Sequence, residues 1–198
     1  MNIATLDKAA AASQRGAVMH RLFIGLCPPP DIRAQLLALM TGVPGARWQD
    51  DAQLHLTLRY VGEVDRRLAN DIAEMLAGMR AAAPAMALNG VGMFARGGRA
   101  NALWAGITPA APLAALHKKL DHALVRLGLA PEGRAYLPHI TLARLARGDG
   151  AGPAIEAFLA RHTGLSSAPF CLDALILYES HLGADGAHYE PVARFPLA

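Results

Sequence analysis

A chain of 198 residues is long enough to bury a core of its own and short enough to make one compact domain or two small fused lobes. Hydrophobic residues make up 53% and charged residues 18%, which excludes a disordered chain, and no apolar run reaches the length that spans a bilayer. The formal charge of +3 is modest, but 16 of the 19 basic residues are arginine, whose planar fork of donors suits phosphate.

The first 18 residues are alanine-rich, yet Asp7, Lys8, Gln14 and Arg15 interrupt any signal-peptide core. They are expected to form a flexible N-terminal extension. Arg21 to Cys27 reads as a strand, with Leu22, Ile24 and Leu26 alternating against Arg21, Phe23 and Gly25. Phe23 therefore stands off the apolar row and is a candidate to stack on a base, although core packing is the commoner fate of a strand phenylalanine. Pro28 to Asp31 opens a helix carrying Ile32, Leu36, Leu39 and Met40 on one stripe, and Gly42, Pro44 and Gly45 close it. A strand is predicted near Gln53–Gly62 and a helix over Asp65–Arg80, the latter with Leu68, Ile72, Met75, Leu76 and Met79 buried. Strands near Ala85–Phe94 and Asn101–Ile107 flank a turn at Gly97-Gly98. That pair of glycines has neither the spacing nor the lysine of a nucleotide-binding loop.

The second half repeats the plan. A helix over Pro112–Leu127 places Leu113, Leu116, Leu120, Leu124 and Leu127 on one face, with His117 and His122 read as ordinary surface residues. A strand is predicted near Leu137–Leu145, a loop over Gly148–Pro153, then a short helix burying Ile155, Phe158 and Leu159. Strands near Phe170–Glu179 and His188–Phe195 finish the chain, giving an α+β class with strand-rich halves. Cys27 and Cys171 are too few for a zinc framework or a disulfide scaffold, and both read as buried strand residues in a reducing, cytoplasmic setting.

Two stretches share one pattern. Leu54-His55-Leu56-Thr57-Leu58-Arg59 and Pro138-His139-Ile140-Thr141-Leu142-Ala143-Arg144 both contain His-apolar-Thr-Leu, with the histidines 84 positions apart. On a strand, side chains alternate between faces, so each copy presents an imidazole and a hydroxyl to one side and an apolar row to the other. A helix would separate i from i+2. Duplication of the pattern points to an internally repeated fold with a cleft between its halves. Two imidazoles facing one cleft can serve as general acid and general base near neutral pH, and two threonine hydroxyls can donate to phosphate oxygens. Arg59 shares the face of His55 and Thr57 by alternation and is a candidate to border the cleft. Arg144 falls on the opposite face by strict alternation. Tyr136 and Arg134 precede the second motif and are candidates for a rim.

On these motifs the sequence resembles the two-histidine (2H) phosphoesterases, and within them the bacterial 2′-5′ RNA ligase-like RNA 2′,3′-cyclic phosphodiesterases. The same resemblance extends to Arg21-Leu22-Phe23-Ile24-Gly25, Arg47-Trp48, Tyr60-Val61-Gly62-Glu63, Leu103-Trp104-Ala105-Gly106, Glu179-Ser180-His181-Leu182-Gly183 and Arg194-Phe195-Pro196-Leu197, in that order along the chain. It implies one bilobal domain over residues 19–198, with two pseudo-symmetric lobes of antiparallel sheet flanked by helices around a central cleft. It implies His55 as proton donor and His139 as proton acceptor, with Thr57 and Thr141 binding phosphate. The implied reaction opens an RNA 2′,3′-cyclic phosphate to a 2′-phosphate. The family pattern also has arginine at position 144, so a bend or bulge is needed to bring Arg144 to the phosphate. Leu137 departs from the basic residue often found there.

Hydrolysis of this kind needs no nucleophilic Ser or Cys, and a histidine pair with threonines makes a poor zinc ligand set, so neither metal nor cofactor is expected. The expected partner is RNA with a cyclic phosphate end, and the chain is expected to act as a monomer without a membrane. Three other readings stay open on the residues alone: ligation through a 2′–5′ bond, hydrolysis of a small cyclic nucleotide, and RNA binding without turnover.

Overall fold

The computed structural model describes residues 18–146, 152–183 and 186–198. All but the last residue of the expected extension, and most of the loop expected over Gly148–Pro153, lie outside the described residues.

The first strand, β1 (Met19–Leu26), leads to helix α1 (Pro30–Leu39), then to a short strand β2 (Ala46–Trp48) and a 3₁₀ turn over Asp51–Gln53. The motif strand β3 (Leu56–Asp65) runs into α2 (Arg66–Ala77). A hairpin follows, β4 (Ala85–Arg96) and β5 (Arg99–Thr108), turning at Gly97 and Gly98, then α3 (Ala110–Arg126). The second motif strand β6 (His139–Leu145), helix α4 (Pro153–His162), and strands β7 (Phe170–Cys171), β8 (Ala174–Gly183) and β9 (Gly186–Pro196) complete the order.

The nine strands among the described residues belong to one sheet, ordered β7-β4-β5-β6-β3-β1-β8-β9, with β2 on β6. The sheet is antiparallel throughout, and the two expected lobes are its two halves. Each half has a His-Thr motif strand innermost, and one residue pair, Leu56 opposite Ile140, joins them. These two residues hold the same place in their motifs, so the pseudo-twofold axis passes between them. The chain does not divide at its midpoint. The C-terminal hairpin β8–β9 returns to pair with β1 and completes the lobe of the first motif.

The main core lies between one face of the sheet and the helices. Leu22, Ile24, Leu26, Leu56, Leu58, Ile140 and Leu142 point into it, with Ile32 and Leu36 of α1, Ile72 and Leu76 of α2, Leu113, Leu120 and Leu124 of α3, and Phe158 of α4. Helix α2 starts where the Asp65 carboxylate accepts from the Leu68 amide, replacing a hydrogen bond the first turn lacks. A second, smaller cluster holds Phe23, Ile176 and Tyr178. By alternation it lies on the opposite face of β1, the face of the motif polar groups.

The cysteine expectation is corrected. Cys27 lies just past the end of β1 and is half-buried, and Cys171 is exposed. The strand β7 is only two residues long, and alternation gives its inward place to Phe170.

Candidate active site

The first motif strand starts later than expected. His55 precedes β3, and the 3₁₀ turn before it is closed by a capping box in which Asp50 and Gln53 bond each other's backbone amides. The carbonyl of Gln53 then accepts a hydrogen bond from His55 Nδ1 at 2.7 Å. The second motif repeats this contact, with His139 Nδ1 donating to the Leu137 carbonyl at 2.7 Å. A carbonyl can only accept, so both neutral imidazoles carry their proton on Nδ1 and leave Nε2 available as a base.

The Leu56–Ile140 pair sets the arrangement of the four polar residues. One step along the antiparallel register sets His55 across from Thr141 and Thr57 across from His139. All four share the face opposite Leu56 and Ile140, and all four are half-buried.

Both motifs then break alternation in the same way. Ile24 pairs with Arg59 while Gly25 pairs with Thr57, so Leu58 is an extra residue in β3. Leu103 pairs with Ala143 while Trp104 pairs with Thr141, so Leu142 is an extra residue in β6. Leu58 and Arg59 are consequently both buried, as are Leu142 and Ala143. After each bulge the next residue returns to the site face: Tyr60 in the first lobe and Arg144 in the second. The bulge that the family resemblance requires for Arg144 is therefore present. The same bulge corrects the expectation for Arg59. Its guanidinium turns toward the helix side, bonded to Asp121 of α3 at 2.8 Å and to the Tyr60 and Ala130 carbonyls. It braces the lobe and has no free face for a substrate.

A cavity of about 560 Å³ opens beside His139 and Thr57. Tyr60, Phe94, Asn101, His117, Tyr136 and Arg144 are among its lining residues. Tyr136 sits at this rim as expected, its hydroxyl donating to the Thr57 carbonyl at 3.3 Å. Arg134 and Leu137 line the same cavity. His117, read from the sequence as a surface residue, lies under Tyr136 with the rings stacked at 4.4 Å and 7°, and its Nδ1 donates to the Leu58 carbonyl at 2.7 Å. No local pattern in α3 announces that contact, because its partners lie in β3 and in the stretch before β6.

Each motif histidine is walled by aromatic rings. His55 lies 4.8 Å from Phe23 and 5.0 Å from Tyr189, with Tyr178 behind Phe23. Phe23 is thus fixed in an aromatic stack and almost fully buried, which corrects its reading as a base-stacking residue. His139 meets Phe94 edge-on at 4.8 Å and Trp104 at 6.3 Å. Gly92 makes this second wall possible, because a Cβ there would lie 2.2 Å from the Trp104 ring. The sequence signal for Trp104 was its place in the Leu103–Gly106 stretch. Phe94, Tyr178 and Tyr189 had none beyond being strand aromatics.

These walls lower the basicity of both imidazoles. Burial, with smaller contributions from the charges of Arg144 and His139, pushes His55 down to about 4, against the opposing effect of its hydrogen bond to the Gln53 carbonyl. Burial and the Arg144 charge also lower His139. Both are neutral at pH 7 in the free protein. Among the described residues, no three His, Cys, Asp or Glu side chains form a group able to hold a metal. No described helix is long and apolar enough to cross a membrane.

Comparison with known proteins gives the same picture. The RNA 2′,3′-cyclic phosphodiesterase of Aeropyrum pernix is 36% identical over 106 residues, covering 53% of this chain and 60% of that protein. The enzyme of that name from Geobacillus stearothermophilus is 28% identical over 159 residues, 79% of this chain and 49% of its own length. The chain thus spans about half to three-fifths of these relatives. The crystal structure of E. coli LigT complexed with 3′-AMP superposes with a TM-score of 0.74 at 24% identity, over 91% of this chain and 99% of that one, and so shares the fold. Residues 28–184, most of the two-lobed sheet and both motifs, match the 2′-5′ RNA ligase superfamily, and the chain belongs to that superfamily.

Proposed function

We propose that the protein hydrolyses RNA 2′,3′-cyclic phosphodiester ends to 2′-phosphomonoesters by general acid and base catalysis, without a metal. The observation that carries this reading is the pairing of two imidazoles, each tied at Nδ1, with two threonine hydroxyls on either side of the Leu56–Ile140 pair where β3 meets β6. Family membership and the activity named for the relatives support it.

In this mechanism His139 Nε2 takes a proton from water as the water oxygen attacks phosphorus. The P–O3′ bond breaks, and the departing 3′ oxygen takes a proton from Nε2 of His55, leaving the phosphate on O2′. The donor and acceptor roles follow the family pattern. Thr57 and Thr141 donate to the non-bridging oxygens, and Arg144 offsets the charge that builds on them. His55 must be protonated to act as the acid, although its free value is about 4. The arriving phosphodiester anion supplies the missing stabilisation, because a nearby negative charge favours the imidazolium. The aromatic residues and Leu137 at the cavity suit a ribose and its base. The reading carries with it a cytoplasmic monomer with one bilobal domain over residues 19–198 and residues 1–18 as an extension.

The test is hydrolysis of a short RNA ending in a 2′,3′-cyclic phosphate, in excess EDTA, with the position of the product phosphate determined. Wild type is expected to yield the 2′-phosphate, and His55→Ala and His139→Ala to lose roughly 10²–10⁴-fold in kcat. Turnover that survives both substitutions overturns the assignment.

A further inference from the structure

The site face carries a second basic group that the two-histidine mechanism does not use. In the β2–β6 ladder Arg47 stands directly opposite Arg144. Their neighbours Trp48, Ala143 and Leu145 are packed into the main core, so both arginines project to the other face, where both are exposed. Like charges directly opposite each other on a ladder destabilise it. Three other arginines are paired with a carboxylate, Arg33 with Asp51, Arg59 with Asp121 and Arg194 with Asp173. Among the described residues, no carboxylate is paired with Arg47 or Arg144.

The space around this pair is shaped. A cavity of about 540 Å³ is lined by Arg47, Arg144, Gln49, Gln53, Asn101 and Tyr189, with Leu182 and Gly183 of β8 and Gly186 and Ala187 of β9 as its far wall and no carboxylate among the described lining residues. The hairpin is held in place by Gln53, whose Nε2 donates to the Ala187 carbonyl at 2.8 Å. Arg47 lies against that wall: a Cβ on Gly186, at φ +124°, would come 3.4 Å from Arg47 Nη1. Asn101 and Arg144 also line the cavity that holds His139 and Thr57, so the two spaces are neighbours that share these residues. Where the reaction cavity is rich in aromatic rings, this neighbour is mainly polar and basic.

We infer that Arg47 holds the internucleotide phosphate preceding the terminal cyclic phosphate, so that the substrate is an oligonucleotide gripped at two consecutive phosphates. Directly opposed residues on a ladder have Cβ atoms about 5 Å apart, and two extended guanidinium arms from such a base can reach neighbouring phosphates of one strand. Arg144 meets the reacting phosphate and Arg47 the next. Substrate charge then relieves the repulsion within the pair. This inference rests on the cyclic phosphodiesterase reading and adds to it a second phosphate contact, made by Arg47.

The experiment compares a 2′,3′-cyclic mononucleotide with an RNA trinucleotide ending in a 2′,3′-cyclic phosphate. Wild type is expected to prefer the trinucleotide through KM. Arg47→Ala is expected to raise KM for the trinucleotide by about tenfold more than for the mononucleotide, the scale of one charge-assisted contact. Its kcat should change little, and Arg47→Lys should restore part of the preference. A second readout uses a labelled trinucleotide ending in a 2′-phosphate, bound across a salt series. Losing one phosphate contact lowers the slope of log affinity against log salt by about 0.7. Arg47→Gln, which keeps the aliphatic stem, covers the case in which the alanine variant fails to fold. Equal losses on both substrates, or a trinucleotide preference and salt slope that survive the substitutions, overturn the inference. Absence of turnover on either substrate by wild type overturns the phosphodiesterase reading instead, and the salt slope then decides the role of Arg47 by itself.

Discussion

An imidazole that donates Nδ1–H to the carbonyl two residues before it can do chemistry only through Nε2, and both motif histidines are held that way. Their lowered basicity has a consequence for rate. The proposed reaction needs one proton on the pair, held by the acid, and kcat/KM reports the free protein. With His55 near 4 and His139 below its ordinary 6.5, kcat/KM is expected to peak on the acid side and fall about tenfold per unit above pH 6.5. A maximum in the alkaline range would contradict this. The falling limb of kcat is expected at higher pH, because bound phosphate favours the imidazolium. Stability follows the same shift. His55 binds its proton less readily folded than unfolded, so the unfolded chain carries more protons between about 4 and 6.5. The stability held by neutral His55 is therefore full above pH 6.5 and lost as pH falls toward 4. Urea unfolding at pH 5 and pH 7 is expected to show a smaller drop for His55→Asn than for wild type.

At the scale of the element, one extra residue in each motif strand decides which arginine faces the cavity beside His139 and Thr57. The bulge at Leu58 sends Arg59 to the helix side, where it is 7% exposed and bonded to Asp121. Replacing it by methionine leaves the Asp121 carboxylate, 14% exposed, with only the Glu132 amide as partner, expected to cost about 3 kcal/mol in denaturant unfolding. The remaining folded protein should keep its KM, which separates Arg59 from a substrate contact. The bulge at Leu142 brings Arg144 to the site, and β2 supports it: the Gln49 amide donates to the Leu142 carbonyl at 2.8 Å. In β4, Gly92 lies directly under Trp104. Gly92→Ala is expected to cost about 1–3 kcal/mol by overpacking, and to lower kcat by moving the ring that walls His139.

The whole molecule is two half-sheets that meet at a single residue pair with the reactive groups beside it. Such a joint fixes the distance between the two motif histidines only while Leu56 and Ile140, both nearly inaccessible to solvent, stay packed. Ile140→Ala is expected to cost about 2–5 kcal/mol, and to lower kcat more than it raises KM, because misplacing the reacting groups costs positioning rather than binding. Thermal melts alongside steady-state kinetics would measure both. A variant that loses stability but keeps full kcat would mean the lobes are aligned by something other than this pair.

Leu54–Arg59 and Pro138–Arg144 made the repeat, the α+β class and the four polar residues legible, because strand alternation is a local rule and both copies obey it up to Thr57 and Thr141. Helix stripes such as Leu113, Leu116, Leu120 and Leu124 were legible for the same reason. Past each threonine the local rule fails. A bulge exists only relative to a neighbouring strand, so Arg59 looked like a substrate contact, and Arg144 needed a family resemblance to bring it to the cleft. Phe23 looked available to a base until Tyr178 and His55, distant in sequence, closed over it. The return of β8–β9 to the first lobe and the placing of Arg47 opposite Arg144 likewise depend on strand pairing over long separations. Alternation, charge and composition are written residue by residue and belong to the sequence. Register between distant strands, and with it the face that each arginine and aromatic finally shows, is set only when those strands pack together.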